Sequence, residues 1–266
     1  MNFTNFDNCL IDYTLHPSPH PSAPRVALIH SLALDRSIWN AVAAKLSDKA
    51  EVLTFDCRGH GRSGKPAGPF TTELFARDLA ELLDHIGWKA ATIAGCSMGG
   101  CVAQTFAAMY PLRVNSLALI DTTAWYGPEG PKQWRERAEN ARTKGLSGLV
   151  NFQVTRWFSD GFRAAHADLV DATVNVFLAN DLECYAATCI MLGDADLRHY
   201  LPSLRMPVSI VVGEEDYATP IAASQQMHDA IKQSTMTVLP GGRHLTPVQC
   251  PDEIASHILC LMAPNS

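Results

Sequence analysis

Lysine and arginine nowhere form a run in this 266-residue sequence, and cysteines nowhere pair as C-x-x-C. Nor do apolar residues continue unbroken for the ~20 positions that a membrane span needs. The first absence, with a net charge of −6, argues against nucleic acid and anionic membrane surfaces as partners. The missing apolar run argues against a transmembrane anchor. The eight cysteines, at 9, 57, 96, 101, 184, 189, 250 and 260, are scattered, several within apolar runs. Reduced, buried thiols are expected, with neither structural disulfides nor a zinc site. Met1-Asn2-Phe3-Thr4-Asn5-Phe6-Asp7 lacks the cationic and apolar regions of a secretory signal, so the expected location is cytoplasmic. His16 and His20 lie among Pro17, Pro19, Pro21 and Pro24, which hold neither strand nor helix. They read as solvated loop residues rather than metal ligands.

The composition, 47% hydrophobic and 18% charged, is that of a globular chain long enough for one large α/β domain with an insertion. After a short hairpin-like opening over residues 1–15, apolar strands are expected at 25–30, 51–56, 90–94 and 114–120. Helices alternate with them near 37–39, at 71–86 and at 100–110. Near-continuous apolar strands in this alternation imply a parallel sheet covered on both faces. The rhythm then changes. Residues 124–204 contain no buried-strand run but several helical segments, at 131–145, 146–157, 164–178 and 182–191. Strand and helix resume at 208–213, 221–231, 235–239 and 251–262. The fold class is therefore α/β, a mostly parallel doubly wound sheet. Residues 1–123 and 205–266 are expected to form its core, with 124–204 as a helical lid inserted after the sixth strand.

Gly95-Cys96-Ser97-Met98-Gly99 stands between an apolar strand and a helix. G-x-S-x-G in that context is a nucleophile elbow: small flanking residues admit a tight turn that presents the serine hydroxyl at a helix N-terminus. A serine needs a histidine base, and the histidine needs a carboxylate to hold its tautomer. Asp216 and His244 follow in the order Ser, acid, His, each in a loop beyond an apolar strand. Strand C-termini are where open α/β sheets bind ligands, so the three residues are expected to converge. Asp121, also at a strand end, is the alternative acid. The backbone N–H groups of Met98 and Leu32 are the expected oxyanion donors. The loop Cys57-Arg58-Gly59-His60-Gly61-Arg62-Ser63-Gly64 lacks the Gly-Lys-Ser/Thr ending of a phosphate loop. His60 is expected to brace it, and His30, at a strand end beside the cleft, to contact substrate or satisfy backbone groups.

These features resemble the α/β-hydrolase fold family over essentially the whole chain. The insertion carries a narrower likeness to bacterial 3-oxoadipate enol-lactonases. It rests on Leu28-Ile29-His30-Ser31-Leu32 with Trp39, on Arg156-Trp157-Phe158, on Tyr185-Ala186-Ala187-Thr188-Cys189, and on Asp194-Ala195-Asp196-Leu197-Arg198 leading to Leu201-Pro202. Departures lie near the pocket: His30 and Ala33, where another residue and Gly are expected, Cys96 before the serine, and Gly241-Gly242-Arg243 before His244. The resemblance implies cofactor-free hydrolysis, with no metal, of a small ester or a carboxylate-bearing enol-lactone in aromatic-compound catabolism. It also implies a lid that supplies apolar walls and a cation, for which Trp134, Arg156 and Trp157 are candidates, with Tyr217 beside the acid. The same triad serves C–C bond hydrolases of ring-fission diketones, cofactor-free haloperoxidases and, in a receptor of this fold, ligand binding. A haloalkane dehalogenase is excluded, because it needs Asp where Ser97 stands. Oligomeric state is not set by these features, a homodimer being the assembly left open.

Overall fold

The apolar runs become strands, and the strands align their C-terminal ends along one edge. The structure, a computed structural model, describes residues 1–263. Among these, the strands are β1 (Asn2–Thr4), β2 (Leu10–His16), β3 (Arg25–Ile29), β4 (Glu51–Phe55), β5 (Ala91–Cys96), β6 (Val114–Ile120), β7 (Val208–Gly213) and β8 (Ser234–Leu239). They form one eight-stranded sheet in the order β1-β2-β4-β3-β5-β6-β7-β8. β1 and β2 pair antiparallel, the opening hairpin, and the rest run parallel. Every residue of β5 and β7 is buried. Covering both faces is what a near-continuous apolar strand requires, and each fully buried Ile, Leu or Val stabilises by about 1.5–3 kcal/mol.

Helices α1 (Asn40–Leu46), α2 (Thr72–His85) and α3 (Met98–Met109) link the first strands. Thr71 caps α2 by accepting the Leu74 amide at 3.1 Å, and Phe75, Leu79, Leu82 and Leu83 form its buried face. The register sets Ile29 against Gly95, Cys96 against Ile120, Ile120 against Val211, and Gly213 against Leu239. The loops after β3, β5, β6, β7 and β8 therefore emerge side by side.

Between β6 and β7 lie α4 (Gly130–Lys144), α5 (Val150–Trp157), α6 (Asp160–Ala165), α7 (Ala167–Leu178) and α8 (Leu182–Asp194). This segment leaves and returns at one point, where the Leu197 amide donates to the Ala124 carbonyl at 2.8 Å and Trp125 bridges Asp196. The single helix expected over 164–178 is two. The break falls at His166, whose φ of −132° is not helical and whose ring packs 4.5 Å from that of Phe162. Beyond β7 come α9 (Ile221–Ala230), α10 (Thr246–Gln249) and α11 (Pro251–Met262). No described helix is long and apolar enough to cross a membrane.

Candidate active site

Ser97 ends the strand-to-helix turn with φ 55° and ψ −115°, a left-handed conformation that L residues rarely adopt. Two glycines make the turn possible. A Cβ on Gly99 would overlap the Ile29 carbonyl, and one on Gly95 would overlap the Gly99 backbone. The bend is held from both sides: the Ser97 amide donates to Ile120 O at 2.9 Å, and the Thr122 hydroxyl donates to Ser97 O at 2.7 Å.

Three buried side chains from adjacent strand ends then connect. Ser97 Oγ donates to His244 Nε2 at 2.9 Å, and His244 Nδ1 donates to Asp216 Oδ2 at 2.8 Å. Hydrogen-bonding logic assigns this tautomer, because Asp216 accepts only. Asp216 Oδ1 accepts the Ala218 and Thr219 amides at 2.8 and 2.9 Å, and the Thr219 hydroxyl donates to Oδ2 at 2.8 Å. Burial pushes the Asp216 carboxyl up. The contact with His244 and the Thr219 donors outweigh burial and hold it below its ordinary value. Asp121 has a different neighbourhood. It accepts the Gly213 amide at 3.1 Å and the Thr246 amide and hydroxyl at 2.9 and 2.7 Å, so it ties β7 to the turn after His244. Burial and the nearby Asp216 push its pKa up.

The pocket over Ser97 is narrow, about 30 Å³, room for about two waters. Ser31, Leu32, Ala218, Thr219 and His244 form its floor, and Tyr126, Trp134, Arg137, Gln153, Arg156 and Trp157 form its roof. Every roof residue comes from the helical insertion. The amides of Leu32 and Met98 donate no hydrogen bond among the described residues. Leu32 sits in a turn with Ala33 at φ 58°, and Asn180 Nδ2, just past α7, donates to Ala33 O at 2.7 Å. A larger groove of about 810 Å³ runs between residues 67–73 and α8 and contains none of Ser97, His244 and Asp216.

Two expected substrate contacts are corrected. His30 is fully buried and both its ring nitrogens serve backbone: Nδ1 donates to Ser31 O at 2.8 Å, and Nε2 accepts the Cys57 amide at 2.9 Å. It braces two loops and does not reach the pocket. Tyr217 is 50% exposed and lies outside the lining, its ring covered by the Arg156 and Arg243 guanidinium groups. Its neighbours Ala218 and Thr219 face inward instead. His60 is buried in its loop, its Nδ1 donating to Arg58 O at 2.9 Å. Arg243 links the His244 loop to the insertion, donating to the Thr155 and Phe158 carbonyls at 2.9 and 3.0 Å and pairing with Glu215 at 2.7 Å.

Sequence reasoning missed Arg137 and Gln153. Helical spacing could have found them: Arg137 is three residues past Trp134, and Gln153 is three before Arg156 and four before Trp157. Burial and the neighbouring Arg137 pull the Arg156 guanidinium below its ordinary pKa. Among the described residues, no group of His, Cys, Asp and Glu is arranged to hold a metal ion.

A sequence model of the α/β hydrolase fold matches residues 24–180. The chain is 34% identical over 242 residues to 3-oxoadipate enol-lactonase 2 of Acinetobacter baylyi, covering 90% of each protein. Among solved structures, an enol-lactonase from Burkholderia xenovorans has a TM-score of 0.91 at 30% identity over 96% of both chains. A thermophilic esterase from Thermogutta terrifontis, solved with malate bound, has a TM-score of 0.90 at 29% identity, over 97% of this chain and 96% of that one.

Proposed function

The chain belongs to the α/β-hydrolase fold family, and from that premise we propose that it is a serine hydrolase of small carboxylic esters or lactones, with an enol-lactone as its substrate in aromatic-compound catabolism. The observation that carries this reading is the unbroken relay from Ser97 Oγ through His244 to Asp216, at 2.9 and 2.8 Å. It opens into a pocket roofed by the helical insertion.

His244 Nε2 takes the Ser97 proton as Oγ attacks the carbonyl carbon. Asp216 stabilises the imidazolium through Nδ1. The tetrahedral oxyanion is held by the Met98 and Leu32 amides, which have no partner among the described residues. Collapse breaks the acyl–oxygen bond, and His244 gives its proton to the departing enol oxygen. In a lactone, that oxygen stays tethered to the acyl-enzyme. Water, deprotonated by His244, then releases the carboxylate product and restores Ser97. Because the pocket holds only about 30 Å³, residues 124–204 act as a lid that must shift for substrate to reach Ser97. The 34% identity to an enol-lactonase supports the choice of substrate.

The test is a screen of purified wild type and Ser97→Ala across enol-lactones, simple esters and ring-fission diketones. The expected result is the highest kcat/KM on an enol-lactone, abolished in Ser97→Ala. Faster cleavage of a diketone than of any ester or lactone would move the chain to C–C bond hydrolysis.

A further inference from the structure

The roof of the pocket carries cations and amide donors and no acid. Arg137 is partly buried on α4. Its Nε donates to the Tyr185 hydroxyl at 2.8 Å and its Nη2 to Gln153 Oε1 at 3.1 Å, which leaves Nη1 without a hydrogen bond. Its guanidinium lies 4.6 Å from the centre of the Trp134 ring and 5.4 Å from that of Phe152. No carboxylate comes within salt-bridge distance of Arg137, although six other arginines on the insertion and the loops beside it pair with an acid. Gln153 is 2% exposed, and with Oε1 committed to Arg137 its Nε2 is buried with no partner at all. A buried donor left without an acceptor costs about 1–3 kcal/mol, as does a cation withheld from both water and counter-charge. Side by side on one wall, these two defects mark a place that a ligand completes.

We propose that Arg137 Nη1 and Gln153 Nε2 form an anion subsite that seats a remote carboxylate of the substrate. The acyl donor is then a half-ester or lactone of a short dicarboxylic acid. A planar fork of guanidinium and amide donors matches the two oxygens of a carboxylate. A phosphate would turn its further oxygens against the indoles of Trp134 and Trp157. Arg156, stacked on Phe152 and Tyr217 and making no side-chain hydrogen bond, adds charge from the side without being the seat. The proposal rests on the reading of Ser97 as the nucleophile, since the anion is placed relative to the carbonyl that Ser97 attacks.

Mono-p-nitrophenyl adipate and p-nitrophenyl hexanoate share an acyl chain length and differ in the terminal carboxylate. The expected wild-type kcat/KM is at least tenfold higher on the adipate half-ester. Arg137→Met and, separately, Gln153→Glu, which puts a neutralising carboxylate beside Arg137, should each cut that preference about tenfold to a hundredfold, the weight of a charge-assisted hydrogen bond. Arg137→Lys should recover only part of it, as it keeps the charge without the fork. Equal rates on the two esters in wild type, or a preference unchanged in both variants, overturns the proposal. Should Arg137→Met fail to fold, Gln153→Glu decides. Calorimetric titration of Ser97→Ala protein with adipate, hexanoate and inorganic phosphate reads the subsite without turnover. Binding of adipate alone supports it, and failure of adipate to bind sinks it. If adipate binds while neither ester is cleaved by wild type, the hydrolase reading fails and the subsite stands.

Discussion

Asp216→Asn separates the two carboxylates that lie at strand ends beside His244. In the native site, Asp216 Oδ1 accepts two backbone amides, those of Ala218 and Thr219, at 2.8 and 2.9 Å. An asparagine there must keep its oxygen in that position, because an NH2 group would face two N–H donors. Its NH2 is then forced into the Oδ2 position, 2.8 Å from His244 Nδ1. That ring nitrogen becomes the acceptor and the proton moves to Nε2, so the face toward Ser97 Oγ, 2.9 Å away, is no longer basic. A triad held in this wrong tautomer loses about ten-thousandfold in kcat. The Thr219 hydroxyl can rotate to accept from the new amide, so the fold survives. Asp121→Asn should behave in the opposite way. Either orientation of its amide meets a backbone N–H, from Gly213 or from Thr246. A buried mismatch of that kind costs about 1–3 kcal/mol of stability, or about 2–5 °C in Tm for a chain of this size. Its kcat should stay within about tenfold of wild type, since Asp121 does not bond to the His244 ring. The assay is p-nitrophenyl acetate turnover at neutral pH beside calorimetric Tm. A ten-thousandfold loss in Asp121→Asn with little in Asp216→Asn would refute the assignment of the acid.

Acid stability follows from His60, which burial and the neighbouring His30 pull from 6.5 to about 3. Its folded pKa lies below its unfolded one, so the unfolded chain binds the extra proton between these values and stability falls as pH drops through 6.5 toward 3. At pH 5 this one group costs about 2 kcal/mol. His60→Asn keeps a donor near the Arg58 carbonyl but does not titrate, so urea unfolding midpoints should depend less steeply on pH than in wild type, and parallel curves would remove His60 from the account. Arg156→Ala should slow turnover of anionic lactones more than of neutral esters, and an equal loss on both would take Arg156 out of substrate recognition. Asn180→Ala frees the Ala33 carbonyl from its 2.7 Å bond and loosens the turn that carries the Leu32 amide. We expect about a fivefold fall in kcat with KM little changed, the effect of about one hydrogen bond, and a rise in KM alone would contradict a role through the oxyanion turn.

The frame of the fold was legible because strand burial is written in unbroken apolar runs. Residues 114–120, 208–213 and 251–262 form elements with the expected limits. The Ser97, Asp216 and His244 positions were legible for a related reason, since each follows a strand and parallel strands bring their ends together. What periodicity cannot carry is direction. Asp121 and Asp216 both follow strands, and only the three-dimensional neighbours separate a carboxylate that takes the His244 ring from one that takes Gly213 and Thr246. His30 and Tyr217 sit one or two residues from pocket-lining positions, yet one side chain turns into the sheet and the other toward solvent. Arg137 was hidden by its own helix. Arg135, Glu136, Glu139, Arg142 and Lys144 surround it, and a helix so charged reads as a solvated face although Ala138 and Ala141 are buried. The spacing from Trp134 was the available signal, and it becomes persuasive only once the roof of the pocket is known.

Covalent trapping of the nucleophile tests the central claim most directly. Wild-type protein treated with a p-nitrophenyl phosphonate should release one equivalent of p-nitrophenol, lose ester turnover in step with labelling, and carry its single adduct on the peptide that contains Ser97. Full activity in protein labelled to one equivalent, or an adduct on any other residue, would contradict the claim that Ser97, driven by His244 and Asp216, performs the chemistry.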